Sequence, residues 1–277
     1  MAVDKRLAHP LDQHLRLERI PTLYCPGCGI GVGLGAMLRA LDKRIREGSI
    51  NPDKVAWVGG IGCSARAVFY VNYDAAHVLH GRAIPFAEGL VLANPELTVI
   101  VVGGDGDIAG IGGNHLVHAA KRNIDMIVVM FTNFVYAMTG GQVAPTTPRG
   151  VKTTTTPRGN PEYPLNVIKL VASLNANYVA RASSTTPHYI EQFFYKALGM
   201  KGFRFIEIVS TCPEIYGRHI GLRDPVEMHN ELRKRVKYKQ KPSIEEAEID
   251  WEEGIIIGEF IERNNPSFHE ILKGGGS

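Results

Sequence analysis

Two carboxylates in a glycine-rich run, and one amide further along the chain, are the residues best suited to do chemistry. The run is Gly103-Gly104-Asp105-Gly106-Asp107, and the amide is Asn133. Glycines allow a sharp turn and a close approach of the backbone to a ligand. Carboxylate and amide oxygens are hard ligands suited to Mg²⁺, which can in turn hold a diphosphate. These residue types predict a magnesium and diphosphate site, provided that the fold brings Asp105 and Asn133 together.

Two apolar segments predict the strands that would position these residues. Residues 97–102 and 125–131 are rich in β-branched and apolar side chains, and residues 111–121 between them have a helical pattern. Such segments are typical of parallel strands that are buried on both faces. Open parallel sheets bind ligands at the carboxyl ends of their strands. We therefore expect Asp105 and Asn133 to lie at the same edge of a sheet.

Two other interpretations compete for the glycine-rich run. It could be a strand–turn–helix corner with solvated acids, because short glycine motifs are weak evidence. It also fits a relaxed dinucleotide fingerprint, Gly104-x-Gly106-x-x-Ala109, which expects an acidic residue at the end of the next strand. The nearby acid, Asp125, instead opens that strand, and Asn133 stands at its far end. Two loop carboxylates would also repel a diphosphate unless a metal ion lay between them.

The four cysteines form one close pair and two distant single residues. They are Cys25, Cys28, Cys63 and Cys212. All are predicted on loops at the ends of strands, where they could converge. Inert buried thiols, a thioredoxin-like redox pair and a zinc site are the alternatives. A zinc ribbon usually shows two close pairs, whereas one pair with two single cysteines suits a [4Fe–4S] cluster equally well or better.

Composition sets the broad class of the protein. The chain has 277 residues, of which 44% are hydrophobic and 21% charged, as is usual for a soluble globular protein with a substantial core. The net charge of +3 gives no reason to expect binding to nucleic acid or to a membrane surface. No apolar run is long enough to span a bilayer, and residues 1–19 are too polar for a signal peptide. We therefore expect a cytoplasmic protein.

Alternating helix and strand patterns predict an α/β fold with a mostly parallel sheet and helices on both faces. Residues 1–223 are predicted to form this domain, and residues 224–277 a C-terminal extension. Asp224-Pro225 is typical of a helix start, because proline is favoured at the first helical position. A basic stretch at residues 234–241 and an acidic stretch at residues 245–253 follow. We expect the extension to pack on a partner chain.

Together the motifs resemble the β (thiamine diphosphate-binding) subunits of 2-oxoacid:ferredoxin oxidoreductases. The resemblance covers about residues 24–216. It rests on Gly104-Asp105-Gly106 with Asn133, on the run Tyr136-Ala137-Met138-Thr139-Gly140-Gly141-Gln142, on Pro145-Thr146-Thr147-Pro148, and on the four cysteines. One departure is the pair Thr132-Asn133, where thiamine motifs often have two asparagines, although the ligand position is kept. The resemblance implies a thiamine diphosphate-binding fold.

The resemblance also implies three bound groups: thiamine diphosphate, Mg²⁺ and a [4Fe–4S] cluster. The side chains of Asp105 and Asn133 and the carbonyl of Val135 would hold Mg²⁺. The cluster ligands would be Cys25, Cys28, Cys63 and Cys212. The implied cofactor-binding residues are Gly62, Cys63, Ser64, His80, Gly104, Asp105, Gly106, Asp107, Asn133, Val135, Met138 and Thr139. Arg66 could contact a substrate carboxylate or be a surface cation, and no catalytic residue is assigned to this chain.

The implied reaction is the oxidative decarboxylation of a 2-oxo acid with coenzyme A to acyl-CoA and CO2, with electrons passing through the cluster to ferredoxin. The resemblance favours 2-oxoglutarate, with pyruvate, branched-chain and aryl 2-oxo acids as alternatives. It also implies an α subunit that completes the site, with γ or δ subunits as further candidates. A nucleotide-binding subunit with a structural zinc is the alternative of another class.

Overall fold

Strands and helices alternate along the chain, and the computed structural model describes residues 9–250 and 254–274. Residues 1–8 of the predicted polar N-terminal segment lie outside the described residues, as do residues 251–253 of the acidic stretch and residues 275–277. The strands are β1 (Val55–Gly59), β2 (Asp74–His77), β3 (Thr98–Gly104), β4 (Met126–Thr132), β5 (Val135–Tyr136), β6 (Gln142–Val143), β7 (Tyr178–Ser183), β8 (Phe203–Val209), β9 (Val236–Tyr238), β10 (Ile249–Asp250) and β11 (Gly254–Glu262). The helices are α1 (Gly29–Arg46), α2 (Ala67–Tyr70), α3 (Ala83–Ala93), α4 (Gly113–Lys121), α5 (Val167–Ala172), α6 (Pro187–Leu198), α7 (Arg218–Ile220), α8 (Pro225–Arg235) and α9 (Phe268–Lys273).

One nine-stranded sheet organises the described part of the chain. Its order is β10-β11-β7-β8-β4-β3-β1-β2, and β9 pairs with β11. Six consecutive strands, from β7 to β2, run parallel, and β11 pairs antiparallel with β7. β5 and β6 form a separate small hairpin. The predicted α/β class with a mostly parallel sheet is confirmed.

The register of the parallel strands brings distant loops to one edge. Gly104 at the end of β3 pairs with Phe131 of β4. Thr132, the last residue of β4, pairs with Val209 at the end of β8. Gly59 at the end of β1 pairs with Val102 of β3. Because these ends coincide, the segments that follow β1, β3, β4 and β8 all start at the carboxyl edge. Those segments carry Cys63, Asp105, Asn133 and Cys212.

Each face of the sheet is covered by helices that bury apolar side chains. On one face Met37 of α1 and Phe193 of α6 are fully buried, in the same core as Trp57 of β1. On the other face Leu116 of α4 and Val171 of α5 lie in a second core, together with residues of α3. Burial of one such side chain contributes roughly 1.5–3 kcal/mol. The two cores therefore fix the sheet on both sides and hold its carboxyl edge in place.

The C-terminal segment adds strands to the sheet, which the sequence analysis did not predict. Helix α8 begins at Pro225 as predicted, because the Asp224 carboxylate accepts hydrogen bonds from the N–H groups of Val226 and Glu227 at 2.9 and 2.8 Å. Strand β11 then extends the sheet beside β7. The segment after residue 224 thus shares a sheet with the domain before it. Its contact with a partner chain stays a prediction.

One element near the glycine-rich run differs from its predicted bounds. The helix predicted at residues 111–121 begins at Gly113, and a π-helical turn, Gly106–Ile111, precedes it. Tyr136 lies so close that a Cβ at Gly106 would sit 2.3 Å from its ring. Gly81 has φ of +69°, and α3 begins two residues later, at Ala83. Among the described residues, no helix combines the length and apolar character needed to cross a bilayer.

Candidate active site

Asp105 is anchored by three donors at the start of the π-helical turn. Its Oδ1 accepts from the N–H of Gly106 at 2.9 Å, and its Oδ2 accepts from the N–H of Phe134 at 2.9 Å. The hydroxyl of Thr146 also donates to Oδ2. The side chain is 1% exposed. Burial raises the pKa of Asp105 to about 6, although these three hydrogen bonds favour the carboxylate.

The segment that carries Asn133 is tied to Asp105 through Phe134. Phe134 has φ of +67°, which is unusual for a bulky side chain and is held by its surroundings. Its N–H donates to Asp105, its carbonyl accepts from the Thr147 hydroxyl, and its ring packs 5.1 Å from that of Tyr216. Asn133 and Val135, the predicted metal ligands, flank this fixed residue. The predicted oxygen ligands therefore lie within one hydrogen-bonded unit.

Asp107 connects two neighbouring loops. Its Oδ1 accepts from the N–H of Ile61 at 3.1 Å, from the N–H of Gly81 at 2.7 Å and from Nδ1 of His80 at 2.6 Å. Its Oδ2 is buried and has no hydrogen-bond partner among the described residues. A Cβ at Gly60 would lie 2.2 Å from that oxygen. Glycine is thus required at position 60 for the carboxylate to fit.

These residues surround a small cavity at the carboxyl edge of the sheet. It has a volume of about 80 Å³, and Tyr136 and Ala137 contribute to its wall. All twelve residues predicted to contact the cofactor line it. They are Gly62, Cys63, Ser64, His80, Gly104, Asp105, Gly106, Asp107, Asn133, Val135, Met138 and Thr139. The structure brings the set together, and the role of each residue stays a prediction.

Backbone hydrogen bonds bring the Cys25–Cys28 turn to the loop that carries Cys212. The N–H of Gly29 donates to the carbonyl of Thr211 at 3.1 Å, and the Thr211 hydroxyl donates to the carbonyl of Gly27 at 2.7 Å. Gly27 has φ of +74°, a conformation in which glycine is favoured. The start of α1 is therefore fastened to the end of β8. This explains how cysteines so far apart in sequence become neighbours.

The four cysteines line a second cavity, of about 240 Å³. Cys28, Cys63 and Cys212 each stand directly before a helical segment, where backbone N–H groups are free to donate. The N–H of Ile30 donates towards the Cys28 sulfur, and the N–H groups of Tyr216 and Ile215 donate towards that of Cys212. Such donors stabilise anionic sulfur.

Burial raises the pKa of three of the four thiols. It raises the pKa of Cys28 to about 12 and that of Cys212 to about 11, and it also raises the pKa of Cys63. The neighbouring cysteines raise the pKa of Cys28 and Cys212 further, since thiolates so close together repel. In residues 9–250 and 254–274, no three His, Cys, Asp or Glu side chains are grouped to hold a single metal ion.

The two cavities share part of their walls. Cys63, Asn133, Ala137 and Met138 line both of them. Arg66, the predicted substrate contact, lines the cysteine cavity and lies outside the lining of the Asp105 cavity. Its guanidinium lowers the pKa of Cys63, against the larger effect of burial. Arg66 thus lies beside the thiols, and its substrate contact stays a prediction.

Several residues of the site were missed by the sequence analysis. Thr146, Thr147 and Tyr136 stood within the motifs that carried the resemblance, but no role was given to them. Their hydroxyls donate to Asp105, to the Phe134 carbonyl and to the Gly106 carbonyl. Tyr24, which precedes the cysteine pair, lines the cysteine cavity. Proximity to a motif was the one signal in the sequence that could have suggested these residues.

Comparisons with known proteins agree with the geometry of the site. Residues 60–208 match the family model described as thiamine pyrophosphate enzyme, C-terminal TPP binding domain. This range includes the glycine-rich run and Asn133, so it supports the thiamine interpretation over the dinucleotide fingerprint. The "2-oxoglutarate synthase subunit KorB" of Methanothermobacter thermautotrophicus is 43% identical over 269 residues, which are 95% of this chain and 91% of that protein.

Two further matches cover most of the chain. The "2-oxoacid:ferredoxin oxidoreductase subunit beta" of a Sulfolobus species is 36% identical over 90% of this chain and 85% of its own length. A solved structure of 2-oxoglutarate:ferredoxin oxidoreductase from Magnetococcus marinus, with 2-oxoglutarate, coenzyme A and succinyl-CoA bound, covers 99% of this chain and 94% of its own, with a TM-score of 0.82 and 29% identity. The chain therefore belongs to the family of 2-oxoacid:ferredoxin oxidoreductase β subunits, which are thiamine pyrophosphate enzymes.

Proposed function

We propose that this chain is the catalytic β subunit of a 2-oxoglutarate:ferredoxin oxidoreductase. The enzyme would convert 2-oxoglutarate and coenzyme A to succinyl-CoA and CO2, and two electrons would pass one at a time to ferredoxin. The observation that carries the proposal is the pair of adjoining cavities, one lined by oxygen ligands and the other by four cysteines. The names of its relatives favour 2-oxoglutarate over other 2-oxo acids.

The Asp105 cavity fits magnesium and a diphosphate. The side chains of Asp105 and Asn133 and the carbonyl of Val135 would supply three hard oxygen ligands, as Mg²⁺ prefers. Thiamine diphosphate, when bound, would supply a nucleophilic carbon for the 2-oxo group and a thiazolium ring that takes up the electron pair left by the departing CO2. The chain's own task is to hold the diphosphate end. The hydrogen bonds to Asp105 fix the carboxylate before any cofactor arrives, so little reorganisation is needed on binding.

His80 and Asp107 would position the cofactor or the substrate. Asp107 accepts from Nδ1 of His80, which sets the orientation of the ring and leaves Nε2 as the other polar atom of the ring. The ring of His80 meets that of Tyr136 edge to face, with centroids 6.0 Å apart. Both residues line the cavity. His80 would thus present a fixed polar group to what binds there.

The cysteine cavity fits a [4Fe–4S] cluster held by Cys25, Cys28, Cys63 and Cys212. The supporting observations are the four thiols around one cavity and the backbone N–H groups directed at Cys28 and Cys212. A bound cluster would deprotonate the thiols, as metal binding does. The cluster supplies a one-electron carrier beside the thiamine site. Because Cys63 lines both cavities, this chain would place electron donor and acceptor next to each other.

A partner chain would complete the thiamine site. Ligand pockets are typically about 300–1,000 Å³, and the Asp105 cavity, at about 80 Å³, offers only part of such a site. We assign the remaining wall to an α subunit, with γ or δ subunits as further components. Residues 224–277 remain our candidate for contact with that partner. A cytoplasmic location, ferredoxin as acceptor and coenzyme A as acyl acceptor complete the proposal.

Metal and sulfide analysis of the anaerobically purified complex tests the proposal. We expect about four iron and four acid-labile sulfide per copy of this chain. Ferredoxin reduction should require 2-oxoglutarate, coenzyme A, thiamine diphosphate and Mg²⁺ together. Pyruvate offered in place of 2-oxoglutarate tests the substrate assignment, and equal turnover would overturn it. About one zinc and no sulfide would overturn the electron-transfer role, even if the chain bound thiamine diphosphate.

A further inference from the structure

The hydroxyl of Tyr24 is buried beside the cysteines without a partner. Its oxygen has no hydrogen-bond partner among the described residues. A buried hydroxyl without a partner has lost its hydrogen bonds to water and has none within the protein to replace them, which is uncommon in folded proteins. Such a group needs an explanation, and a bound group that accepts its hydrogen bond is one.

The position of Tyr24 is fixed by its neighbours. Its ring lies edge-on to that of Tyr70, with centroids 5.4 Å apart and an interplanar angle of 68°. The hydroxyl of Tyr70 accepts a hydrogen bond of 2.9 Å from the N–H of Leu23 and so holds the backbone just before Tyr24. Gly31 of α1 approaches so closely that a Cβ there would lie 3.4 Å from Cδ2 of Tyr24. The hydroxyl therefore has little freedom to reach solvent.

The surroundings of the Tyr24 hydroxyl are the thiols themselves. Tyr24 lines the cavity that Cys25, Cys28, Cys63 and Cys212 line. A tyrosine hydroxyl carries one hydrogen that it can donate, and its ordinary pKa of about 10 keeps that hydrogen in place at neutral pH. Of the four cysteines, Cys28 and Cys63 are those whose negative charge would act on the Tyr24 hydroxyl.

We infer that Tyr24 donates its hydroxyl hydrogen to the sulfur of Cys28 or Cys63 when these cysteines hold the iron–sulfur cluster, and that this bond raises the reduction potential of the cluster. The inference rests on the proposed function. Reduction adds one electron, which increases the negative charge on the cluster and its ligand sulfurs. A hydrogen bond to such a sulfur stabilises the reduced form more than the oxidised form. Tyr24 would thereby make the cluster a better acceptor of electrons from the neighbouring thiamine site.

The test compares Tyr24→Phe with the wild type in the anaerobically assembled complex. The midpoint potential of the cluster is measured by a redox titration monitored by electron paramagnetic resonance. We expect a more negative potential for Tyr24→Phe. Tyr195→Phe is the matched control, because this tyrosine lies on α6, bonds to Glu47 at 2.7 Å and is absent from both cavity linings. Its potential should equal that of the wild type.

Two further measurements separate a hydrogen bond from a general change of structure. Proton electron–nuclear double resonance of the reduced cluster, in H2O and D2O, should lose one exchangeable proton coupling in Tyr24→Phe. The complete chain without cluster should melt at the wild-type temperature or above it in Tyr24→Phe, because the hydroxyl has no partner to lose. A lower melting temperature would show that the hydroxyl bonds within the protein and would overturn the inference.

The outcomes distinguish this inference from the proposed function. Tyr24→Phe with full iron content, unchanged potential and unchanged proton couplings would overturn the inference and leave the proposed function intact. A wild-type complex without iron and sulfide would overturn both. A more negative potential together with the loss of one proton coupling would support the inference, whereas a more positive potential, or the same shift in Tyr195→Phe, would overturn it.

Discussion

The two cavities at the carboxyl edge of the sheet differ in how far the chain completes them. Three of the four carboxylate oxygens of Asp105 and Asp107 already accept hydrogen bonds, and Oδ2 of Asp107 has no partner among the described residues. Around the cysteines, burial raises the pKa of Cys28, Cys63 and Cys212, and the Tyr24 hydroxyl has no partner in the described part of the chain. The oxygen ligands are therefore organised by the fold, whereas the sulfur ligands depend on what they bind. The Asp105 half of the site should therefore form without its ligand, and the cysteine half should not.

The largest expected effect comes from Asp105→Ala, which removes the predicted metal ligand. We expect turnover with 2-oxoglutarate to fall by more than about a hundredfold, because even residues that only support metal ligands cost roughly 10–100-fold. The iron content should stay at the wild-type level, since Asp105 lies outside the lining of the cysteine cavity. Ferredoxin reduction, thiamine diphosphate binding by calorimetry and iron analysis are the measurements.

Asp53→Ala is the control for Asp105→Ala, since Asp53 is exposed and lies before β1, away from the carboxyl edge. It should change none of these quantities. Asp105→Asn keeps the shape of the side chain and separates loss of a ligand from loss of folding. Wild-type turnover in either Asp105 variant would contradict the assigned role. A simultaneous loss of iron would show that the two cavities are not independently organised.

A pair of cysteine substitutions tests where the two cavities meet. Cys212→Ser and Cys63→Ser should both lose most of the iron, because each removes a predicted cluster ligand. Only Cys63 also lines the Asp105 cavity. We therefore expect weaker thiamine diphosphate binding in Cys63→Ser, by several-fold, and unchanged binding in Cys212→Ser. Equal thiamine affinities in the two variants would mean that the shared wall has no energetic consequence.

Asp107→Asn is expected to have an intermediate effect. Oδ1 of the new amide can still accept from the N–H groups of Ile61 and Gly81, but its bond to His80 loses the carboxylate charge. The amide nitrogen would also take the place of the unpartnered Oδ2. We expect turnover to fall roughly 10–100-fold and the free energy of unfolding to fall by about 1–3 kcal/mol.

Steady-state kinetics and urea unfolding of Asp107→Asn measure these two effects, with Asp53→Asn as the control. His80→Ala provides the second comparison, because it removes the imidazole and leaves the two backbone hydrogen bonds to Asp107 in place. His80→Ala should lower turnover as much as Asp107→Asn does, but it should lower the free energy of unfolding less. If His80→Ala keeps full turnover while Asp107→Asn does not, Asp107 supports turnover through its bonds to the N–H groups of Ile61 and Gly81. The positioning role of His80 is then wrong.

The strands were predictable because their signals are local. The strands predicted at residues 97–102 and 125–131 correspond to β3 and β4, and their ends differ by two residues or fewer. Once these strands are parallel neighbours, the convergence of Asp105 and Asn133 follows from their register. The apolar run of β11 predicts a strand as clearly, but its antiparallel place beside β7 depends on contacts far apart in sequence. It was not predicted.

Side-chain partners were less predictable than the strands. The bond from Thr146 to Asp105 depends on how an irregular loop folds back over the sheet edge. The left-handed conformation of Phe134 could not be expected from its residue type, since aromatic residues rarely adopt it. The direction of the Tyr24 hydroxyl depends on Tyr70, which is distant in sequence. Local patterns therefore located the site, and long-range packing determined its hydrogen bonds.

The smallest expected effect lies in a third polar cluster, which the chain completes by itself and which therefore serves as a reference for both cavities. Asp42 bonds to Nε2 of His14 at 2.9 Å and to Nε of Arg46, and Nδ1 of His14 bonds to the hydroxyl of Tyr73 at 2.6 Å. Burial opposes ionisation of Asp42, but the bonds from His14 and Arg46 outweigh it, so the pKa of Asp42 is lowered. A carboxyl group whose pKa is lowered by folding stabilises the fold at pH values above the usual carboxyl pKa, and this contribution is lost as the pH falls through the lowered pKa.

Asp42→Asn should reduce the free energy of unfolding at neutral pH by about 1 kcal/mol, and the difference from wild type should shrink in acid. Urea unfolding across the pH range measures this, with Asp53→Asn as the control. Iron content and thiamine binding should not change, because Asp42 is absent from the linings of both cavities. A loss of iron in Asp42→Asn would show that the cysteine cavity depends on overall stability, and the contrast between the two cavities would then need a different explanation.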